Sequence, residues 1–190
     1  MELELPAPLE GQLMTREEFL SWDQKAEGGP KYEWRDGLVE VAGDWMKASE
    51  RTIVVNLIRR FHECDAFQSG SELLPETECH LEAINATRIP DLAFFTLEQI
   101  RESQDGGNPV PGWVIEIVSP SERFFNVEFK VEEYFQSGVR VVWQIFPPVN
   151  RVRIFRSVEV VTNHSGDSPC SAAPVLPEYE ISVEDIFRGR

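Results

Sequence analysis

The sequence predicts an α/β domain built around a central mixed β-sheet with helices on its faces. The first observation is an apolar run at residues 113–118 whose alternating faces are both hydrophobic apart from Glu116, as in a strand covered on both sides. The second is a helical pattern that follows this run, over residues 124–136. The third is the order of the other elements, in which helices and strands mix along the chain.

Length and composition are typical of one globular domain. We expect an extended leader over residues 1–14 and a single domain over residues 15–190. The net charge of −15 opposes non-specific binding to nucleic acid. No apolar run approaches the roughly 20 residues that span a bilayer, which predicts no membrane association. The three cysteines have no paired spacing and indicate free thiols in a reducing cytoplasm.

Capping and turn signals divide the N-terminal part into a helix, a hairpin and a second helix. Thr15, followed three residues later by Glu18, is a capping box. Asp36-Gly37 between two alternating segments is a strong hairpin signal. The predicted segments are a helix beginning after Thr15, strands at 32–34 and 38–41, and a helix from Ser49 to about His62.

The rest of the chain alternates between short strands and helices. Pro90 cannot donate to a β-ladder, so we expect it at the start of a strand or at a bulge. Thr96 is a candidate cap for a short helix that ends near Arg101. The predicted segments are two or three strands over 70–96, including an edge strand at 79–82 and an apolar strand at 92–95, then strands at 139–146 and 151–156, a polar loop at 163–178 and a short element at 181–187.

Two carboxylates lie where a strand sequence is otherwise apolar, at Asp91 and Glu116. Adjacent strands are about 4.8 Å apart, so carboxylates on neighbouring strands can share one divalent ion. Lys130 lies on the flank of the apolar stripe of the following helix, from which its ammonium can reach the sheet. The arrangement favours a Mg²⁺ site, and a structural pair of lysine and carboxylate is the alternative.

These residues lie in a pattern that resembles the Uma-type restriction endonuclease family, part of the PD-(D/E)XK nuclease superfamily. The likeness covers nearly the whole chain, and its block from Ser119 to Trp143 is the most specific. It implies a restriction-endonuclease-like core with a central mixed β-sheet flanked by α-helices. The segments that carry the likeness are Pro90-Asp91, 114–121, 130–134, 138–143, 32–37, the helix after Met46, 176–178 and 183–187.

The resemblance implies roles for four residues. Asp91 matches the metal-binding aspartate of the family and Glu116 its second acidic residue. The superfamily's usual lysine two positions later is replaced by Val118, and Lys130 matches the lysine that this family supplies from the next helix. Glu33 matches an upstream acidic position, where it adds a metal ligand. The implied activity is Mg²⁺-dependent (or Mn²⁺-dependent) hydrolysis of DNA phosphodiester bonds.

One departure from the family pattern leaves a second interpretation open. Members often have a histidine at the start of the helix after the hairpin, where this chain has Glu50. That residue and the acidic net charge favour a catalytically inactive nuclease-fold module that binds protein or nucleic acid. Restriction-type enzymes often pair their subunits, so we expect a homodimer as the assembly.

Overall fold

A computed structural model describes residues 11–23, 31–43, 48–119 and 124–189. No helix in these ranges has both the length and the apolar character needed to cross a bilayer. The helices are α1 (Arg16–Asp23), α2 (Ala48–Phe61), α3 (Asp65–Gln68), α4 (Leu97–Gln104), α5 (Phe124–Gln136) and α6 (Val183–Ile186). The strands are β1 (Lys31–Arg35), β2 (Leu38–Gly43), β3 (Glu72–Pro75), β4 (Cys79–Leu81), β5 (Ala86–Arg88), β6 (Leu92–Phe95), β7 (Trp113–Ile117), β8 (Val141–Phe146), β9 (Arg151–Phe155), β10 (Val161–Ser165), β11 (Pro169–Ala172) and β12 (Leu176–Ser182).

The main sheet has six strands in the order β10-β9-β8-β7-β6-β3. Strands β7 and β8 run parallel, whereas β6 and β9 are antiparallel to their neighbours. The predicted central mixed sheet is therefore confirmed, and β7 is an interior strand. A second sheet, in the order β2-β1-β5-β4, and a ribbon of β11 and β12 complete the β-structure.

The two faces of the main sheet are covered by different elements. On one face, apolar residues of α2 and of the ribbon pack against Trp113 and Trp143. The ring centroids of Trp113 and Trp143 are 5.0 Å apart, and Tyr179 of the ribbon lies 4.8 Å from Trp113. On the other face, Val131 of α5 packs with Val114 of β7. The central strand is therefore buried on both sides, as its sequence predicts.

The N-terminal segment and α1 are fixed to the hairpin of β1 and β2. The predicted capping box is present, because the Glu18 carboxylate accepts from the Thr15 backbone N–H while the Thr15 hydroxyl accepts from the Glu18 N–H. Residues 11–14, predicted as the end of a leader, hydrogen-bond to the hairpin, partly through a bridge from Leu13 to Leu38. The rest of that predicted leader, residues 1–10, lies outside the described residues.

Two predictions about the strands are wrong. Residues 163–178 are not a loop, because they contain most of β10, all of β11 and the start of β12. Strand β10 is an almost fully exposed edge strand, so it lacks the apolar alternation that reveals a strand. Residues 70–96 form four strands rather than two or three, and two of them, β4 and β5, belong to the second sheet. The predicted edge strand at Cys79 does lie at the edge of that sheet.

Candidate active site

Strand β1 carries charged side chains on one face and aromatic side chains on the other. Tyr32 and Trp34 pack with α1 in a small apolar cluster. Because side chains alternate along a strand, Lys31 and Glu33 lie on the opposite face, where they contact groups on other elements. Both are buried, with Glu33 only 1% exposed. Strand β1 of the hairpin thus places one cation, Lys31, and one carboxylate, Glu33, in the interior.

Asp91 and Glu116 lie beside each other on the α5 side of the main sheet. Leu92 of β6 pairs with Ile115 of β7, so one further step of this antiparallel register sets Asp91 opposite Glu116. The Asp91 carboxylate accepts the backbone N–H of Ile117 at 2.6 Å and the Lys31 ammonium at 3.2 Å. The junction of β6 and β7 therefore brings together the two carboxylates that the sequence singles out.

Helix α5 contributes Lys130 and, one turn later, Tyr134. The Lys130 ammonium donates to Glu33 Oε1 at 3.0 Å and lies 3.9 Å from Glu116 Oε1. The Tyr134 hydroxyl donates to the same Glu116 oxygen at 2.5 Å. Residues four apart share one helix face, which explains why both side chains reach one carboxylate. The prediction that Lys130 reaches the sheet is confirmed.

The buried side chain of Arg88 hydrogen-bonds to three carboxylates, one of which is that of Glu33. Arg88, at the end of β5, donates to Glu33 at 2.9 Å and to Glu40 at 2.8 Å. It also binds both oxygens of Glu133, at 2.8 and 3.0 Å. Glu33 therefore accepts hydrogen bonds from both Arg88 and Lys130 and connects the two cations. A buried charge is tolerated when it is paired and hydrogen-bonded, and this network meets that requirement.

The surroundings shift the pKa values of the two buried glutamates in opposite directions. Burial alone would raise the pKa of Glu33, but Lys130, Arg88 and the Ile89 N–H favour the carboxylate and hold the pKa at about 2. Burial raises the pKa of Glu116 to about 7, with Lys130 opposing the shift and Asp91 and Glu33 adding to it. Burial would lower the pKa of Lys130, but Glu116 and Glu33 raise it above its ordinary range. The site therefore keeps Glu33 ionised and leaves Glu116 able to change its charge near neutral pH.

The donor chemistry of this pocket fits a small divalent cation. Mg²⁺ prefers oxygen ligands and retains several waters, so the carboxylates of Asp91 and Glu116 are a sufficient set. All three carboxylates also accept hydrogen bonds from the protein, and those to Glu33 come from Lys130, Arg88 and the Ile89 N–H. Within the described ranges, no three side chains of His, Cys, Asp or Glu are grouped to hold a metal. Direct ligation by Glu33 stays a prediction.

Three residues of the site were not predicted from the sequence, namely Lys31, Arg88 and Tyr134. Two of them had a usable signal: Lys31 is two positions before Glu33 in a strand, and Tyr134 is four positions after Lys130 in a helix. Both spacings place a side chain on the same face as a predicted site residue. Arg88 had no such signal, because its position depends on the pairing of β1 with β5.

Comparison with known proteins adds a family and a fold. A family model described as "Uma2: Putative restriction endonuclease" matches residues 16–184. Among solved structures, the chain is similar to one described as a putative nuclease belonging to DUF820 from Anabaena variabilis ATCC 29413, with a TM-score of 0.76 and 20% sequence identity. That match covers 92% of this chain and 97% of the other. No curated protein matches. At this identity the structural likeness establishes the fold alone, and it confirms the predicted fold class.

Proposed function

The chain belongs to the Uma2 family of putative restriction endonucleases, and from this premise we propose that it is a divalent-metal-dependent endonuclease that hydrolyses phosphodiester bonds in DNA. The observation that carries the proposal is the meeting of Asp91, Glu116 and Lys130 in one partly buried cluster, although they come from three separate parts of the chain. Two adjacent carboxylates and an ammonium are the groups that metal-assisted phosphoryl hydrolysis requires.

Each residue has a distinct part in the proposed reaction. Asp91 and Glu116 would hold the metal ion, which when bound would polarise the scissile phosphate and lower the pKa of a bound water. Lys130 orients the attacking water and stabilises the negative charge that develops on the phosphate. Tyr134 fixes the Glu116 carboxylate through its hydrogen bond. Glu33 is a positioning residue, because it holds the Lys130 ammonium at 3.0 Å.

The net charge of −15 opposes the binding of a polyanionic substrate. Glu116 pairs with Gln144 across β7 and β8, and Gln144 pairs with Arg153 across β8 and β9. Arg153 therefore lies on the same sheet face as the carboxylates, but its guanidinium is paired with the Glu128 carboxylate. Divalent ions bound at Asp91 and Glu116 would therefore have to offset the repulsion of the DNA phosphates.

A plasmid-nicking assay tests the proposal. Wild type is expected to nick supercoiled DNA with Mg²⁺ or Mn²⁺ and to stop when a chelator is added. Asp91→Asn and Lys130→Met are each expected to lower the rate by about a hundredfold or more, on the scale of a lost electrostatic contact to the transition state. Glu33→Gln is expected to slow nicking less, because it acts through Lys130.

The matched control is Asp105→Asn, which makes the same change at an exposed residue after α4. Thermal unfolding of every variant shows whether it is folded. Nicking at the wild-type rate by folded Asp91→Asn or Lys130→Met would refute the assigned roles.

The second candidate function is a nuclease-fold module that binds protein or nucleic acid without cutting. The acidic net charge favours it, as does Glu50, which lies in the first turn of α2 where many family members have a histidine. Calorimetry with Mn²⁺ separates the two candidates. A chain that binds Mn²⁺ through Asp91 and nicks DNA is the endonuclease, whereas a chain that does neither is the module.

A further inference from the structure

The proposed reaction gives no part to the charge of Lys31. Its side chain is 6% exposed and its ammonium donates to Asp91 Oδ1 at 3.2 Å. The Asp91 Oδ2 atom accepts the Ile117 N–H. Both oxygens of a proposed metal ligand therefore already accept hydrogen bonds, one of them from a cation.

The Lys31 ammonium lies in the field of all three carboxylates of the pocket. Burial would lower the pKa of Lys31, but Asp91, followed by Glu116 and Glu33, raises it above its ordinary value. A lysine side chain has a flexible four-carbon stem with a compact charge at its end. Lys31 is thus a single positive charge, fixed to the chain, that lies beside the carboxylates to which the proposed divalent ion would bind.

We propose that Lys31 competes with the divalent ion for Asp91 and so limits the metal affinity of the site, an inference that rests on the proposed function. A metal ion that binds Asp91 must share Oδ1 with the ammonium or displace it. In either case the two positive charges repel each other at short range. A purely structural Lys31 would act in the opposite direction, since its loss would leave Asp91 less well held.

Calorimetric titration of the full chain with Mn²⁺, without DNA and at fixed pH and ionic strength, tests the inference. Lys31→Met is expected to bind Mn²⁺ about tenfold more tightly or better, because it removes a positive charge that repels the divalent ion at short range. Lys31→Arg keeps the charge and is expected to bind Mn²⁺ nearly as wild type does. Arg101→Met, which removes one positive charge from the exposed face of α4, controls for net charge.

A second substitution protects the test against poor folding. Lys31→Gln removes the charge but keeps a hydrogen-bond donor for Asp91, and it is also expected to tighten Mn²⁺ binding. Thermal unfolding identifies the variants that are folded. Unchanged or weaker Mn²⁺ affinity in folded Lys31→Met and Lys31→Gln overturns the inference.

The failure of this inference differs from the failure of the proposed function. If Asp91→Asn loses Mn²⁺ binding while the Lys31 variants match wild type, only the inference is overturned. If wild type and Asp91→Asn bind Mn²⁺ equally, or neither wild type nor the Lys31 variants bind it, the proposed metal site is overturned and the inference with it. Binding by Lys31→Met but not by wild type supports the inference and counts against metal-dependent cleavage by the wild type.

Discussion

The two faces of strand β7 show how one short segment supports both the fold and the site. Trp113 and Ile115 are completely buried on one face, in an apolar cluster with α2 and the ribbon. On the other face, Val114 is buried but Glu116 lies among ionisable groups under α5. The first face gains stability from apolar burial without directional partners. The second face contributes to stability only if each buried charge is paired or hydrogen-bonded.

This difference implies that the two faces respond differently to mutation. A truncated apolar side chain costs transfer and cavity free energy, and neighbouring atoms relax around it. A truncated member of a buried charge network leaves its partner unpaired, which changes protonation and ion binding as well as stability. Stability and chemistry should therefore be separable by face.

The largest expected effect on stability is on the apolar face. Trp143→Ala should lower the free energy of unfolding by about 4 kcal/mol, because Trp143 is fully buried between Trp113 and Tyr179. Urea denaturation measures the loss. At a temperature where this variant is folded, its Mn²⁺ affinity should equal that of wild type. Val160→Ala, at a position that is 54% exposed, should change stability by less than about 0.5 kcal/mol. A large loss of metal affinity in folded Trp143→Ala would contradict the prediction that the apolar face affects stability but not metal binding.

An intermediate effect is expected from Glu116→Gln, and its sign depends on pH. The folded pKa of Glu116 is about 7, against an ordinary value of 4.5. Between these values the folded chain holds a proton that the unfolded chain has lost, so the free energy of unfolding falls as pH rises from about 4.5 to 7 and then levels off. Glutamine does not titrate, so the variant should lack this fall and should exceed wild type by about 3 kcal/mol at pH 8.

Urea denaturation from pH 4.5 to 8, with chelator present, measures that difference. The lowered pKa of Glu33, at about 2, affects stability only below pH 4.5 and so does not disturb this window. Glu132→Gln makes the same change on the exposed side of α5 and should follow the wild-type curve. A glutamine variant at position 116 that is less stable than wild type at pH 8 would contradict the expected cost of the buried charge.

The sequence predicts well those parts of the fold in which local pattern and tertiary position agree. The apolar run around Glu116, the capping box at Thr15 and the Asp36-Gly37 turn each have a local signal, and each has the predicted structure. The edge strand β10 has no such signal, because it is stabilised by pairing with β9 while its side chains face solvent. The bulge between Ser171 and Ala172 likewise interrupts the alternation of β11.

The candidate site shows the same limit. Asp91 and Glu116 were identifiable as carboxylates in apolar surroundings, and the flank position of Lys130 predicted its reach. Arg88 was not identifiable, because its contact with Glu33 depends on which strands pair in the second sheet. Local patterns therefore predict which side chains are buried and charged, whereas long-range pairing decides which of them meet.

The smallest effect should come from Tyr134→Phe, which has a matched counterpart on the other face. Tyr134 is fully buried and donates its hydroxyl to Glu116, while Tyr179 is fully buried and donates its hydroxyl to the Leu57 carbonyl at 3.0 Å. Loss of either hydroxyl should cost about 1 kcal/mol of stability, the value of one hydrogen bond, because each ring still packs.

The two tyrosine variants should differ in metal binding. Tyr134→Phe removes the hydrogen bond that fixes the Glu116 carboxylate. Because that carboxylate is then less well positioned as a metal ligand, Mn²⁺ affinity and the nicking rate should fall several-fold. Tyr179→Phe should leave both unchanged, because its hydroxyl lies on the apolar side of the sheet. Calorimetry and plasmid nicking measure the two quantities, and urea denaturation checks that the stability losses match. Equal effects of the two variants on Mn²⁺ affinity would mean that the hydroxyl of Tyr134 acts through stability alone, and that the faces of the sheet are not functionally distinct at this position.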